Sequence, residues 1–109
     1  MTYTWDIIKL ATADKTNDNG EYLANAIINV KWRKNAVDEN GNKGSYVSET
    51  KINFADTSAA DFIELDNVTK ADVISWIESA LSDSDKKAIN KMLQTKVEKE
   101  QTTTITPNW

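Results

Sequence analysis

The residue types that most often do acid–base and nucleophilic chemistry near neutral pH are missing from this chain of 109 residues, which has neither histidine nor cysteine. Histidine is the usual general base near pH 7, and the cysteine thiolate is a common nucleophile and zinc ligand. Without them no Ser–His–Asp triad, Cys–His pair or zinc finger can form. The three glycines all fall in predicted turns, which excludes a glycine-rich phosphate loop. We therefore expect no catalytic residues, no enzyme activity and no cofactor.

Carboxylates are the most numerous remaining groups that could act as acids, bases or metal ligands. Residues 56–85 hold eight of them against the single cation Lys70, and two could in principle be paired as in a glycosidase. Most are expected to be helix caps and solvated side chains. The segment DKTNDNGE at 14–21 has the composition of a calcium loop, but the order of its oxygen ligands and the spacing to a bidentate glutamate are wrong. The sequence therefore predicts no metal site.

Trp32 is a candidate binding residue because it stands beside the cations Arg33 and Lys34, and such a group can stack on a nucleobase. The alternative is a core tryptophan at a strand end with two solvated neighbours. The net charge of −4 favours this alternative, since nucleic-acid binders present a basic face. We predict no nucleic-acid partner and retain Trp32 and Arg33 as candidates for protein contact.

The last eight residues are the second candidate contact. The β-branched run Thr102–Thr106 is followed by Pro107, so it cannot continue a helix, and the segment ends in Trp109. Chain ends fray unless they are tied down. We predict that residues 102–109 are ordered by contact through Ile105, Pro107 and Trp109. Either the segment packs on its own domain, with 102–106 as a fourth strand, or it docks on a neighbouring subunit.

Three predicted β-strands occupy the first half of the chain. In the first, Tyr3, Trp5 and Ile7 alternate with polar residues and the strand runs on to Leu10. The second carries Ala24, Ala26, Ile28, Val30 and Trp32 on one face, with Ile27 as an apolar exception on the other. The third, from about Ser45 to Phe54, places Tyr46, Ser48, Thr50, Ile52 and Phe54 together. Polar connections at 12–20 and 38–44 make these strands an antiparallel meander.

Two helices are predicted after an irregular acidic stretch at 56–66. Thr69 with Asp72 has the form of an N-cap, and Val73, Ile74, Ile77, Ala80 and Leu81 form an apolar stripe flanked by Trp76. The Ser82–Asp85 segment ends this helix and caps the next, which runs from about Asp85 to Gln101 with Ile89, Met92, Leu93 and Val97 on one face. Trp5 and Trp76 are both predicted to lie in the core.

The predicted fold class is α+β: a three-stranded antiparallel meander, with the C-terminal tail as a candidate fourth strand, packed on two C-terminal helices. Residues 1–101 form one domain and 102–109 an extended tail. Charge is uneven, with a net −7 in 56–85 and +3 in 86–101. These are either two solvated helix faces that attract each other or a bipolar surface that orients the protein in an assembly.

Four segments resemble small proteins of tailed bacteriophages, many from marine and cyanobacterial phages. They are Thr2–Trp5, Asn29–Trp32, Val68–Ile77 and Thr106–Trp109. Relatives often carry glutamates after the helix cap, where this chain has Lys70 and Ala71. The resemblance implies a phage gene product and no established activity. Small, acidic, non-catalytic phage proteins are frequently virion components.

The expected function is therefore that of a non-catalytic, virion-associated subunit, as a capsid decoration or tail-associated protein. Its partners would be other phage structural proteins, copies of itself, or both, in an oligomeric assembly. The alternative is an accessory protein that binds and redirects a host protein. No run of 18 apolar residues occurs, so no membrane span is expected. The chain would be made in the host cytoplasm and would end in the virion.

Overall fold

A computed structural model describes residues 1–101 and Pro107, and it confirms the α+β class. The strands are β1 (Thr2–Thr16), β2 (Tyr22–Val37) and β3 (Lys43–Lys51), and they form one antiparallel sheet in the order β1-β2-β3. Helices α1 (Lys70–Ala80) and α2 (Asp83–Gln101) follow, after a short 3-10 helix at Leu65–Asn67. The predicted fourth strand at 102–106 lies outside the described residues.

The first hairpin turn is built around Asn17, a buried polar side chain. Its Oδ1 accepts hydrogen bonds from the backbone N–H groups of Asn19 and Glu21, at 3.1 and 2.8 Å. Its Nδ2 donates to the carbonyl of Thr57 at 2.8 Å, which ties the turn to the chain after β3. Strand β1 continues to Thr16, so the polar connection is shorter than the predicted 12–20.

Irregular pairing changes which residues of the first two strands are buried. Ile7 pairs with Trp32 and Lys9 with Lys31, which leaves Ile8 as an extra residue in β1. In β2 the extra residue is Ile28, and the alternation of faces shifts there by one residue. The predicted face is therefore wrong in part: Ile27 is buried and Ile28 only half-buried.

A second irregularity in β2 places Ala24 in solvent, against the prediction. The register slips between the pair Ala13–Ala26 and the pair Lys15–Leu23. Asn25 there has a φ of 52°, a left-handed conformation that asparagine tolerates better than most residues. Beyond these irregularities, Ala26, Val30 and Trp32 are buried as predicted.

Both helices begin at reciprocal caps, as the sequence predicts. The Thr69 hydroxyl accepts from the Asp72 N–H at 3.2 Å, and the Asp72 carboxylate accepts from the Thr69 N–H at 2.9 Å. Ser82 and Asp85 repeat this arrangement at the start of α2, at 3.1 and 3.3 Å. Each cap satisfies backbone donors that have no partner within the helix. Among the described residues, no helix is long and apolar enough to span a membrane.

The core lies between one face of the sheet and the two helices. Trp32 is fully buried at its centre, with ring centroids 5.2 Å from Trp5 and 5.8 Å from Tyr46, and its Nε1–H donates to the Thr50 hydroxyl at 2.9 Å. The other buried members of this cluster are Ile27, Val30, Ala36, Val73, Ile77, Ile89, Leu93 and Val97. Trp5 and Trp76 are half-buried and pack against it.

Two predicted core positions on the helices are wrong. Met92 in α2 is 44% exposed, and Ala80 at the end of α1 is also exposed. In α2 the buried residues Ile89, Leu93 and Val97 recur every fourth position. This narrow apolar stripe is enough to anchor α2, because the helix packs on one side only, against β3 and β2.

Candidate protein-interaction surface

The predicted binding pair Trp32–Arg33 is split across the sheet, because neighbouring residues of a strand point to opposite faces. Trp32 is fully buried in the core, so its ring is not exposed to a partner, and the core alternative describes this residue. Arg33 lies on the face away from the helices, with 44% of its side chain exposed. Of the predicted tail contacts, Pro107 is exposed, while Ile105 and Trp109 lie outside the described residues.

Arg33 takes part in a polar network on this open face. Its Nη2 and Nε donate to Asp6 Oδ2 at 2.7 and 3.0 Å, and the Asn35 side-chain amide donates to the same oxygen at 2.9 Å. The hydrogen bond from Asn35 and then those from Arg33 lower the pKa of Asp6 below its ordinary value. The open face is therefore held by solvated cross-strand contacts, which suit water better than an apolar partner.

The outer side of β1 has a different character. Strand β1 forms one edge of the described sheet, and it exposes three large apolar or aromatic side chains: Tyr3, Ile8 and Leu10. Ile8 is the extra residue of the bulge, and it is 46% exposed. We call this side the β1 edge. An edge strand presents unpaired backbone N–H and C=O groups, which makes it a template for another strand.

A groove of about 400 Å³ runs beside the β1 edge, on the helix side of the sheet. Its apolar walls are formed by Ile7, Leu10, Leu65, Val68 and Val73, and its polar rim by Asp6, Thr69 and Lys70. We call it the β1 groove. It forms because α1 and α2 pack mainly against β3 and β2, and the covered side of β1 is left partly open. Its volume is at the lower end of the range of ligand pockets, so it has room for an apolar side chain of a partner.

Lys34 lies on the helix side of the sheet, near the start of β1, where it contacts two aromatic rings and α2. Its Nζ lies 4.7 Å from the centre of the Tyr3 ring and 5.0 Å from that of Trp5, and it donates to Asn90 Oδ1 at 2.8 Å. Burial lowers the pKa of Lys34, and the nearby charge of Glu78 opposes this shift. The ammonium joins β1, β2 and α2 through cation–π contacts and one hydrogen bond.

The carboxylates of the candidate calcium segment serve the first hairpin. Asp14 accepts from the backbone N–H of Asn25 at 3.0 Å, and this bond, with one from the Tyr22 hydroxyl, lowers the pKa of Asp14. The pKa of Glu21 is lowered by hydrogen bonds from the Asn17 side chain and the Ala59 N–H. Across residues 1–101 and Pro107, no three acidic side chains cluster closely enough to share a metal ion.

Sequence reasoning missed the β1 groove because its two walls are far apart in the chain. Leu65 and Val68 come from a segment with no helical or strand period, so their partner could not be identified. One local signal was present: Ile7 and Ile8 are adjacent apolar residues in an otherwise alternating strand, a pattern that a bulge produces.

A family model described as a domain of unknown function (DUF7936) matches the chain over residues 1–109. No curated protein and no solved structure matches it.

Proposed function

The chain belongs to the DUF7936 family, and on that premise we propose that it is a non-catalytic interaction protein that binds other proteins through the β1 edge. The observation that carries this proposal is that, among the described residues, the outer edge of β1 has no strand partner and an apolar groove lies beside it. The occupant we propose is an extended segment of a partner protein. It adds a strand to β1 and places an apolar side chain in the β1 groove.

Strand addition of this kind divides the work between backbone and side chains. Backbone hydrogen bonds along the edge contribute affinity for any extended segment, while a pocket for an alternate side chain contributes specificity. Leu10 serves both parts, because it is on the edge strand and also lines the groove. The exposed side chains of Ile8 and Tyr3 would be buried in the complex. Burial of their apolar surface would stabilise the complex by about 25 cal/mol per Å².

The finer proposal is that this partner belongs to a phage particle. It is supported by the resemblance of four segments to small phage proteins and by the absence of histidine and cysteine, which disfavours most catalytic roles. The chain would then be a capsid decoration or tail-associated subunit, bound to larger structural proteins or to copies of itself. Ile105, Pro107 and Trp109 remain predicted contacts of the tail, and Arg33 remains a predicted contact of the open face.

Matched charge insertions test the use of the β1 edge. Leu10→Lys places a charge in the edge and groove, whereas Val47→Lys places one at an exposed apolar position on the open face, where Val47 is 49% exposed. Each protein is tagged and expressed in infected host cells, and co-purified proteins are identified by mass spectrometry. We expect Leu10→Lys alone to lose the partner while both variants remain folded, with Leu10→Lys melting at a slightly lower temperature. Equal retention by both variants would rule the β1 edge out.

Mass spectrometry of purified virions separates the two biological roles. Many copies of the chain per particle would support the structural role. The accessory role, in which the chain binds a host protein, instead predicts no copies in the virion and a host protein among the co-purified partners. A partner that is lost equally from Val47→Lys and Leu10→Lys would place the contact elsewhere on the sheet.

A further inference from the structure

A second cavity lies at the far end of the sheet from the Lys34 contacts, where β3 ends. After Lys51 the chain leaves the strand, and its next residues hold to β2 and to the first hairpin by two backbone bonds. Ile52 N–H donates to the Ile28 carbonyl at 3.0 Å, and Asp18 N–H donates to the Ala55 carbonyl at 2.8 Å. Between these bonds and the bulge at Ile28 a cleft of about 580 Å³ remains.

The lining of this cleft combines two cations with neutral polar and apolar residues. Lys15 and Lys51 line it together with the amides of Asn29 and Asn53, and Ile28 and Phe54 contribute apolar wall. We call it the lysine cleft. No carboxylate is among its described lining residues, although the chain has more acidic than basic residues. Within the described part of the chain, neither lysine forms a salt bridge.

Asn29 adds an unsatisfied polar group to the wall of this cleft. Its Oδ1 is buried and has no hydrogen-bond partner among the described residues, and a buried polar atom without a partner is costly to the fold. Because this atom is enclosed, the side chain must rotate before its amide can contact a bound group. After such a rotation the amide N–H can donate to an anion.

From these observations we propose that the lysine cleft binds a small organic anion, with its phosphate or carboxylate between Lys15 and Lys51 and its apolar group against Ile28 and Phe54. The volume is in the range of small-molecule sites, which are mostly apolar with a few placed polar groups. The two ammonium groups form charge-assisted hydrogen bonds with the anion. This site is separate from the β1 edge and does not depend on the function proposed for it.

Three probes separate charge from apolar contact: phenyl phosphate, inorganic phosphate and benzyl alcohol. Each is titrated into the full chain labelled with nitrogen-15, and the side-chain amide signals of Asn29 and Asn53 are followed. We expect phenyl phosphate to bind saturably, with a Kd of about 1 mM or lower, and each of the other two to bind more weakly. Binding should weaken as ionic strength rises, because exposed charges are screened.

Lysine variants locate the site. Lys15→Met and Lys51→Met should each weaken phenyl phosphate binding by on the order of tenfold, the effect of losing a hydrogen bond to a charged group. Lys51→Arg keeps the charge and should retain binding. Lys31→Met removes the same charge from an exposed position outside the cleft and should have no effect. Melting temperatures confirm that each variant is folded.

Three results would overturn the proposal. One is the absence of saturable binding of phenyl phosphate. The second is an equal loss in Lys31→Met and Lys51→Met, which would indicate unspecific attraction to surface charge. The third is tighter binding of benzyl alcohol than of phenyl phosphate, which would remove the role of the lysines.

Discussion

The two edges of the sheet are finished in different ways. At β3 the helix α2 covers the strand: Lys96 Nζ donates to the Ser45 carbonyl at 2.6 Å, and the Glu100 carboxylate accepts from the Lys43 N–H. At β1 a bulge leaves Ile8 unpaired, and Tyr3, Ile8 and Leu10 are exposed. One edge therefore has two of its backbone groups bonded by side chains of α2, while the other, in the described part of the chain, offers unpaired backbone groups beside exposed apolar side chains.

This difference indicates which contacts stabilise the domain and which surface is available for binding. Residues that stabilise the domain should lie at the contact of α2 with β3 and β2. Residues of the β1 edge should change stability little when substituted, because much of their surface is already in water. Four predictions test this division, from the largest expected effect to the smallest.

The largest contrast is between two leucines. Leu93 is fully buried in α2, whereas Leu10 on the β1 edge is 38% exposed. Leu93→Ala should lower the free energy of unfolding by about 2–5 kcal/mol through lost burial and a residual cavity. Leu10→Ala should cost about 1 kcal/mol or less, in proportion to the smaller area it buries. Urea denaturation measures both, and similar losses would show that β1 is as much a part of the core as α2.

Gly44 tests how closely α2 approaches β3. A Cβ atom added there would lie 2.8 Å from Lys96 Cβ and 3.0 Å from the Leu93 carbonyl oxygen. Gly44→Ala should therefore destabilise the protein by about 1–3 kcal/mol, as overpacking does. Ser45→Ala, at the next and exposed position, should change the melting temperature little. An unchanged melting temperature in Gly44→Ala would mean that α2 can shift away from the strand without loss.

The ion pair on the open face should contribute less than either core change. Asp6 and Arg33 are each more than two-fifths exposed at the side chain, and solvent screening leaves exposed pairs with little net effect on stability. Arg33→Ala should therefore lower the melting temperature only slightly, and by less at high salt. A double-mutant cycle with Asp6→Ala isolates the pair, and a coupling as large as the loss in Gly44→Ala would show that the network with Asn35 is cooperative.

Acidification should destabilise β1 and the first hairpin at a higher pH than it destabilises the helices. The pKa values of Asp6, Asp14 and Glu21 are all lowered in the fold, so their stabilising effect is present above the ordinary pKa values of 3.8 and 4.5 and is lost as the pH falls through the lowered values.

Hydrogen exchange on either side of this pH window provides the test. Amides of β1 and of the first hairpin should lose protection on acidification while those of α2 keep theirs. Uniform loss across the chain would instead indicate that both sides open as one cooperative unit.

Much of the local structure followed from the sequence. The caps at Thr69 and Ser82, the turn before Glu21 and the turn at Asp38–Asn42 depend on side chains that bond backbone groups a few residues away. The burial of Trp32 and Val30 followed from strand alternation. Such patterns are local, so residue type and spacing determine them.

Other features were decided by contacts between segments distant in the chain. The exposure of Met92 depends on how far α2 leans over the sheet, and the β1 groove depends on Leu65 and Val68 meeting Ile7 and Leu10. The bulges at Ile8 and Ile28 depend on strand register, which is a property of a pair of strands rather than of either one. The lysine cleft likewise joins the ends of β1 and β3, 36 residues apart at Lys15 and Lys51.

The sequence by itself thus determined the α+β class, the two hairpins, the capped helices and the absence of histidine and cysteine. Tertiary structure alone decided which edge of the sheet is covered by a helix, where apolar surface stays in solvent and which two lysines line one cleft with apolar residues. The physical reason is the distance along the chain over which each interaction acts. Hydrogen bonding and periodicity act over a few residues, whereas burial and cavities are set by how whole elements pack.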